Sequence, residues 1–135
     1  MFLPITKNEM KERGWDQADI VLVTGDAYID HPAFGTSVIA RVLESKGYRI
    51  GIISMPDFQN ADSIDVFGKP GLFFGVTSGA IDSMLAKYTA FKRYRSDDPY
   101  APGGISHKPE RALITYCNLI KKKYKDVPIV IGGIE

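Results

Sequence analysis

A short polar segment holds most of the residues in this sequence that could do chemistry. It covers residues 23–35, VTGDAYIDHPAFG, and places Asp26, Asp30 and His31 within six positions. Two carboxylates and an imidazole this close in sequence could transfer protons or bind a metal ion. The same residues also suit a turn, because an aspartate or histidine just before Pro32 can cap the first turn of a helix. Catalysis, contact with a ligand or another domain, and structural capping are therefore all open for this segment.

Three further segments carry polar residues or glycines where an apolar run ends. They are residues 54–57 (SMPD), 77–79 (TSG) and 132–133 (GG). The hydroxyls and backbone amides of residues 77–79 could hold a phosphate or a carboxylate, although a plain helix cap explains them as well. The two glycines would let a ligand approach the backbone closely, and a turn explains them equally. The sequence contains neither GxGxxG nor GxxxxGK[ST], so the dinucleotide-binding and P-loop interpretations lose their motifs.

The elements that must position these segments alternate along the chain. Continuous apolar runs predict strands covered on both faces, and they lie at 18–25, 48–54, 70–78 and 127–135. Amphipathic spacing predicts helices at 33–47, from Ser78 as the N-cap to about Phe91, and at 109–125 with Pro109 in the first position, and a short helix is predicted within 60–66. The alternation predicts an α/β fold, a three-layer sandwich with a mainly parallel sheet of about four or more strands.

The carboxyl ends of parallel strands meet at one edge of the sheet, where ligands bind in open α/β folds. We therefore expect the four polar segments to share this edge. The first 18 residues are predicted to be a polar lead-in with Trp15 as an anchor, followed by the domain at 19–135. Because a buried-type strand runs into Gly132 and Gly133 at the end of the sequence, we expect a domain of a longer protein.

The composition is that of an ordinary globular domain. The 135 residues suit one domain, and a formal net charge of +1 gives no general attraction to nucleic acid or to membranes. Cys117 is the only cysteine and lies on an apolar helix stripe, which favours a core position and excludes an intramolecular disulfide or a multi-cysteine metal site. No apolar run reaches the roughly 18 residues that span a bilayer, and the N-terminus lacks the apolar core of a signal peptide, so we expect a cytoplasmic protein.

Residues 92–108 show no periodicity and predict a long loop. The basic residues Lys92, Arg93, Arg95 and Lys108 are interleaved with tyrosines and could contact RNA or a phosphorylated substrate. Two aspartates dilute the positive charge of the segment, and a solvated loop explains its composition better.

Five strings of this sequence occur in a distinctive order. They are GWDQADIVLVTGDAYIDHPAFGTSVIARVLESKGYRIGIIS, FFGVTSGAIDSMLAKYT, YAPGG, RALITYCNLIK and PIVIGGIE. Together they resemble the N-terminal region of the YgiQ-type radical S-adenosylmethionine (radical SAM) proteins, over essentially the whole chain. The resemblance implies a Rossmann-like domain of the flavodoxin or cobalamin-binding type. It also implies that a radical SAM barrel follows in the same parent chain and is the partner of this domain.

In the family that the chain resembles, three cysteines of the barrel hold a four-iron four-sulfur cluster. The cluster cleaves S-adenosylmethionine reductively to a 5′-deoxyadenosyl radical. This sequence has no CxxxCxxC motif, so the resemblance places the cluster ligands beyond Glu135 and implies no catalysis by this segment alone. The segment would then be an accessory domain that contributes contacts with a substrate of unassigned identity, a cofactor or the barrel.

Rossmann-like domains in front of radical SAM barrels also include cobalamin-binding ones, some of which use a histidine in the motif DxHxxG. Here Asp30 directly precedes His31, and Gly35 follows His31 by four positions instead of three, so the motif is not met. The resemblance therefore allows cobalamin binding without histidine ligation, or no cobalamin.

Position at the strand ends and the resemblance together select nine residues for contacts with a cofactor, a substrate or another domain. They are Gly25, Asp26, Tyr28, Asp30, His31, Thr77, Ser78, Gly132 and Gly133. No residue is assigned a catalytic or metal-binding role. The alternatives to an accessory domain are a cobalamin-binding module and a structural or RNA-contacting domain.

Overall fold

The computed structural model of the protein describes residues 1–96 and 108–135. Strands and helices alternate along these residues. In chain order they are α1 (Lys7–Glu12), β1 (Ile20–Thr24), α2 (Gly35–Ser45), β2 (Ile50–Ser54), a single 3₁₀ turn (Ala61–Ile64), β3 (Phe73–Thr77), α3 (Ser83–Lys87), α4 (Ala112–Lys123) and β4 (Ile129–Ile131). Within the two described ranges, each helix is too short or too polar to cross a membrane.

The strands form one parallel sheet in the order β2-β1-β3-β4, which confirms the predicted parallel sheet. β1 pairs along its whole length with β2 on one side and with β3 on the other. The chain moves in one direction from β1 to β2 and in the opposite direction from β2 to β3 and β4. The strand order therefore reverses between β1 and β3, and in doubly wound sheets ligands bind at the carboxyl side of this reversal.

The central strand β1 sets the layers because all five of its residues are buried. Val21 and Val23 face one core cluster, which contains residues of α1, of the 3₁₀ turn and of α4. Ile20 and Leu22 face a second cluster, which contains Ala40 of α2. Two cores on opposite faces of one sheet confirm the predicted three-layer α/β arrangement.

The first residues of the chain are packed on the sheet. Leu3 belongs to the core on the α2 face, and Met10 of α1 belongs to the core on the opposite face. The carbonyl oxygen of Pro4 accepts a hydrogen bond of 3.0 Å from the amide of Ile52, so the N-terminal segment lies along the outer edge of β2. The segment predicted as a lead-in thus covers one edge of the sheet and contributes to both cores.

The prediction for the helix after β3 is wrong in its start and its end. Ser78 does not cap it, and α3 begins at Ser83 because the carboxylate of Asp82 accepts hydrogen bonds from two amides of its first turn. The helix ends at Lys87 rather than near Phe91, because Tyr88 is extended and forms a bridge with Tyr94. A turn closed by this bridge between residues six positions apart therefore replaces the last helical turn.

The predicted start of the last helix is also wrong by one turn. α4 begins at Ala112 and not at Pro109, because the amides of Ala112 and Leu113 have side-chain acceptors that satisfy the first turn of the helix. The amide of Ala112 donates to Ser83 Oγ at 3.2 Å, and that of Leu113 donates to a carboxylate oxygen of Glu135 at 2.9 Å. Of the predicted loop 92–108, residues 97–107 lie outside the described residues.

Gly51 provides a test of how tightly β2 packs under residues 55–68. A Cβ at this position would lie 2.7–2.9 Å from the ring of Phe67, which is buried. We expect Gly51→Ala to lower the free energy of unfolding by about 1–3 kcal/mol through overpacking. At Gly71 an added Cβ would meet only ordinary contacts of 3.6 Å or more. Gly71→Ala should therefore change the free energy of unfolding by less than about 0.5 kcal/mol. Urea denaturation of the two variants checks this, and equal losses would contradict it.

Candidate functional site

The loops after β1 and β3 meet at the carboxyl edge of the sheet, where the strand order reverses. A Cβ on Gly25, directly after β1, would collide with the carbonyl oxygen of Ser78, directly after β3. It would also lie 2.8 Å from Cε of Lys108. Glycine is therefore required at position 25 by the close approach of the two loops. Gly25 and Ser78 lie in contact and close the sheet edge.

Asp26 joins the two loops through its side chain. One carboxylate oxygen accepts a hydrogen bond of 2.5 Å from the amide of Ala80, and the other lies 3.0 Å from Nζ of Lys108. Gly79 has a φ of +116°, and a Cβ there would collide with the Asp26 carboxylate. Both oxygens of Asp26 are thus engaged in holding the β1 and β3 loops together.

The two glycines of the rim with left-handed backbone are Gly79, with a φ of +116°, and Gly133, with a φ of +106°. L-residues rarely adopt such angles, so a side chain would strain both turns. A Cβ on Gly133 would lie 2.8 Å from Oγ1 of Thr77, and the amide of Gly132 donates to the carbonyl oxygen of Val76 at 3.1 Å. The glycine pair thus brings the end of β4 against the end of β3.

Lys108 is a residue of this edge that the sequence prediction misplaced. The sequence assigned it to a solvated loop, whereas its side chain is 2% exposed in the structure and pairs with Asp26. The two residues are 82 positions apart. No local pattern in the sequence connects them, because the contact arises only when the β1 and β3 ends are brought together.

A cavity of about 650 Å³ opens beside this closure, between α2 and the sheet. Its floor is formed by apolar residues of three strands, Leu22, Phe73, Gly75 and Val130. Five of the nine predicted contact residues line it, namely Asp26, Tyr28, Thr77, Gly132 and Gly133. Asp26 is the one charged residue among the described lining residues, so the cavity is apolar with a polar rim.

Tyr28 forms part of the cavity wall and is fixed by the N-terminal segment. Its hydroxyl accepts a hydrogen bond of 3.1 Å from the amide of Leu3. Partial burial raises the pKa of Tyr28 above its ordinary value, and the charge of Asp30 acts in the same direction. The phenol therefore stays protonated at neutral pH and supplies a hydroxyl and an aromatic face, but no charge.

Asp30 and His31 do not line the cavity and have partners elsewhere. Arg41 of α2 forms an ion pair with Asp30 through two of its nitrogens, and its hydrogen bonds hold the pKa of Asp30 below its ordinary value. Nδ1 of His31 accepts a hydrogen bond of 3.0 Å from the amide of Ala33. The prediction that one of them caps the helix is wrong, because the N-cap of α2 is Phe34 and has no side-chain cap hydrogen bond; both residues instead stabilise the turn before it. Within residues 1–96 and 108–135, His, Cys, Asp and Glu form no group of three or more that could hold a metal ion.

Two buried hydroxyls have no hydrogen-bond partner among the described residues, Ser78 Oγ and Tyr116 OH. Both side chains are fully buried. Burial raises the pKa of Tyr116 above its ordinary value, and the charges of Asp26 and Glu135 raise it further. The sequence identified Tyr116 only as part of the apolar stripe of α4, so its polar surroundings were missed.

The buried pair of Asp26 and Lys108 can be tested by a double-mutant cycle. We expect Lys108→Met alone to destabilise the fold by about 3–5 kcal/mol, because it leaves a buried carboxylate without its cation. The double variant Asp26→Asn with Lys108→Met should be less destabilised than Lys108→Met alone, since no unpaired charge remains. Chemical denaturation measures both.

The exposed pair of Lys123 and Asp62 is the matched control for this cycle. The charged atoms of this pair are 2.7 Å apart, but Asp62 is largely exposed, so Lys123→Met should change the free energy of unfolding far less than Lys108→Met. Additive losses for Asp26→Asn and Lys108→Met would contradict a coupled buried pair.

Comparison with known proteins identifies relatives of the whole chain. The sequence model of the family described as Radical SAM N-terminal matches residues 2–135. UPF0313 proteins of Methanocaldococcus jannaschii, Shewanella oneidensis and Thermotoga maritima are 57%, 54% and 54% identical to it. The matches cover 100%, 99% and 100% of this chain but only 22%, 17% and 24% of those relatives. No solved structure matches the chain.

These matches confirm the resemblance of the sequence to the N-terminal region of radical SAM proteins. They span all the elements that build the carboxyl edge, from α1 to β4. The chain belongs to the Radical SAM N-terminal family.

Proposed function

We propose that this domain is the accessory N-terminal domain of a radical SAM enzyme and that its cavity receives part of a substrate or cofactor. The observation that carries the proposal is the cavity of about 650 Å³ at the reversal of strand order. Its volume lies in the range of about 300–1,000 Å³ that is typical of small-molecule sites. Catalysis itself is assigned to the rest of the parent protein, which we place in the cytoplasm.

The lining restricts the chemistry of the ligand. The floor and the α2 wall are apolar, with Ile39 and Leu43 on the helix side. The carboxylate of Asp26 is already paired with Lys108 and leaves no free charge for an ionic ligand. Polar contacts come from the rim, where Thr77 and the backbone at Gly132 and Gly133 line the opening. These features favour a ligand with an uncharged apolar face that makes hydrogen bonds at one end.

The residues present do not fit a four-iron four-sulfur cluster. Such a cluster in this family needs three cysteines, and Cys117 is the only one in the sequence. Cys117 is also part-buried on α4, and burial raises the pKa of its thiol, which disfavours the thiolate that metals bind. We therefore assign the cluster and S-adenosylmethionine to the remainder of the parent chain, with the barrel as the partner of this domain.

Cobalamin is a second candidate for the occupant of the cavity. The order β2-β1-β3-β4 and an apolar cavity at the reversal favour a cofactor with a broad, partly apolar ring. His31 does not line this cavity, and its Nδ1 accepts a backbone hydrogen bond. The proposal for cobalamin therefore does not include ligation by His31.

Contact with RNA is not proposed. Lys108 is buried against Asp26, and Nε of Arg95 donates to the carbonyl oxygen of Leu85 at 2.9 Å. The remaining basic residues of this part of the chain, Lys92 and Arg93, are exposed in a turn. No feature of the described residues joins them into a continuous basic surface with the cavity.

The cavity can be tested in the full-length protein by filling it. We expect Ala27→Trp to lower the 5′-deoxyadenosine formed in response to a metabolite extract by about tenfold or more, because the indole occupies the cavity beside the rim. The slow formation of 5′-deoxyadenosine in the absence of extract should not change. The iron content of the protein should not change either. The measurement is chromatographic quantification of 5′-deoxyadenosine.

Ala90→Trp is the control for this substitution, since Ala90 is exposed and lies outside the cavity. It should leave both rates unchanged. A response to extract that survives in Ala27→Trp would show that the cavity receives neither substrate nor cofactor.

Cobalamin binding is tested by gel filtration of the full-length protein with hydroxocobalamin, followed by absorbance of the protein peak. We expect wild type and His31→Ala to retain equal amounts and Ala27→Trp to retain about tenfold less or lower, because only the tryptophan enters the cavity. Absence of retained cobalamin in the wild type would remove this second candidate. Loss in His31→Ala alone would contradict the position of His31 outside the cavity.

A further inference from the structure

Part of the sheet surface is left uncovered by the described residues. On the face where α2 packs, Leu3 and α2 cover β1 and β2. On the opposite face, α4 packs over β3. Over β3 and β4 on the α2 face, Val130 is exposed and Phe73 is only half-buried, and they form part of the cavity floor. We call this surface, bounded by α2, β3 and β4, the open quadrant.

The side of α2 that borders the open quadrant is apolar. Ala40 faces the sheet and is fully buried, whereas Val38, Ile39 and Val42 are 41–55% exposed. At 100° per residue, Ile39 and Leu43 lie toward the open quadrant, where both line the cavity, and Val38 and Val42 continue the stripe onto the outer face of α2. α2 therefore has a second apolar face with no partner among the described residues.

The helix in the opposite layer does not show this pattern. Ile114 is the large apolar residue of α4 that is strongly exposed, at 58%, and the last turn of α4 carries Lys121, Lys122 and Lys123. A solvated helix of this kind has an apolar stripe on one side only. Of these two helices, α2 is therefore the one with several strongly exposed apolar residues.

The winding of the chain indicates where a cover can come from. Crossovers between parallel strands are right-handed, so opposite directions of movement put α2 and α4 on opposite faces. A strand added beyond β4 would place its crossover helix on the face of α4, not on that of α2. A crossover helix of that kind would therefore not cover the open quadrant.

The relatives indicate another source of a cover. This chain spans 17–24% of the length of the three relatives described above, so most of their sequence lies outside it. The domain is thus tethered to a large amount of chain at high local concentration, which favours an intramolecular partner over a second molecule.

We propose that a helix from the polypeptide after residue 135 of the full-length protein packs in the open quadrant, between α2 and the strands β3 and β4. The helix would present uncharged apolar residues at positions i, i+3, i+4 and i+7, because the surface that receives it is apolar. Because Phe73 and Val130 belong to both surfaces, the helix would narrow the cavity from the side of β4 and leave the carboxyl edge as its opening. The proposal goes beyond the accessory function, since it holds whichever ligand the cavity receives.

A photo-crosslinking experiment on the full-length protein tests this proposal. The photoreactive residue p-benzoylphenylalanine is placed at position 39 or, as a matched control, at position 114. Both positions carry isoleucine, on helices in opposite layers, with exposed fractions of 55% and 58%. We expect position 39 to give several-fold more crosslink than position 114, within one chain, to a peptide after residue 135. Crosslinks from position 39 to a second copy, or none at all, would overturn the proposal.

Hydrogen exchange of the full-length variants Ile39→Lys and Ile114→Lys provides a second measurement that does not depend on activity. We expect Ile39→Lys to raise the exchange of α2 and of the downstream helix several-fold, since a charged side chain would be placed in their contact. Ile114→Lys should leave both unchanged. Protection of β1 and β2 in both variants shows that the domain has folded. Unchanged exchange in Ile39→Lys with intact β1 and β2 would contradict a covering helix.

Discussion

The carboxylate of Asp26 is the group on which the carboxyl edge of this domain depends. It links the end of β1 to the loop after β3 through the amide of Ala80, and it neutralises Lys108 from a segment 82 positions away. A buried carboxylate is costly unless it is paired and hydrogen-bonded, so these partners must be in place for the edge to form. The glycines at 25 and 79 are required by the same closure.

This closure separates two environments at one edge of the sheet. The side next to Asp26 is polar and fully buried, with Ser78, Ser83 and Tyr116 below the rim. The side next to α2 is apolar and open, with the cavity above Leu22 and Gly75. The charges of Asp26 and Lys108 are paired with each other where the strand ends meet. The surface offered to a ligand or to another part of the protein is therefore largely uncharged.

The sequence predicted what local patterns determine. Runs such as IVLVT and IGIIS are buried on both faces and gave the strands, and their alternation with amphipathic helices gave the parallel three-layer fold. Five of nine predicted contact residues line the cavity because they follow strand ends. The start of α4, the burial of Lys108 and the pairing of Asp30 with Arg41 could not be predicted, since each depends on residues that only the fold brings together.

The side chain of Glu135 connects the chain after β4 to the starts of α3 and α4. One carboxylate oxygen accepts a hydrogen bond from the amide of Leu113 at the start of α4. The other accepts one from the hydroxyl of Ser83 at the start of α3, so Glu135 holds the two helix starts together. A displacement of Glu135 would disturb the starts of both helices. Lys108 lies only four residues before α4, so a displacement there would be transmitted to Asp26 and to the rim of the cavity. The end of β4 and the rim of the cavity are therefore connected through one carboxylate.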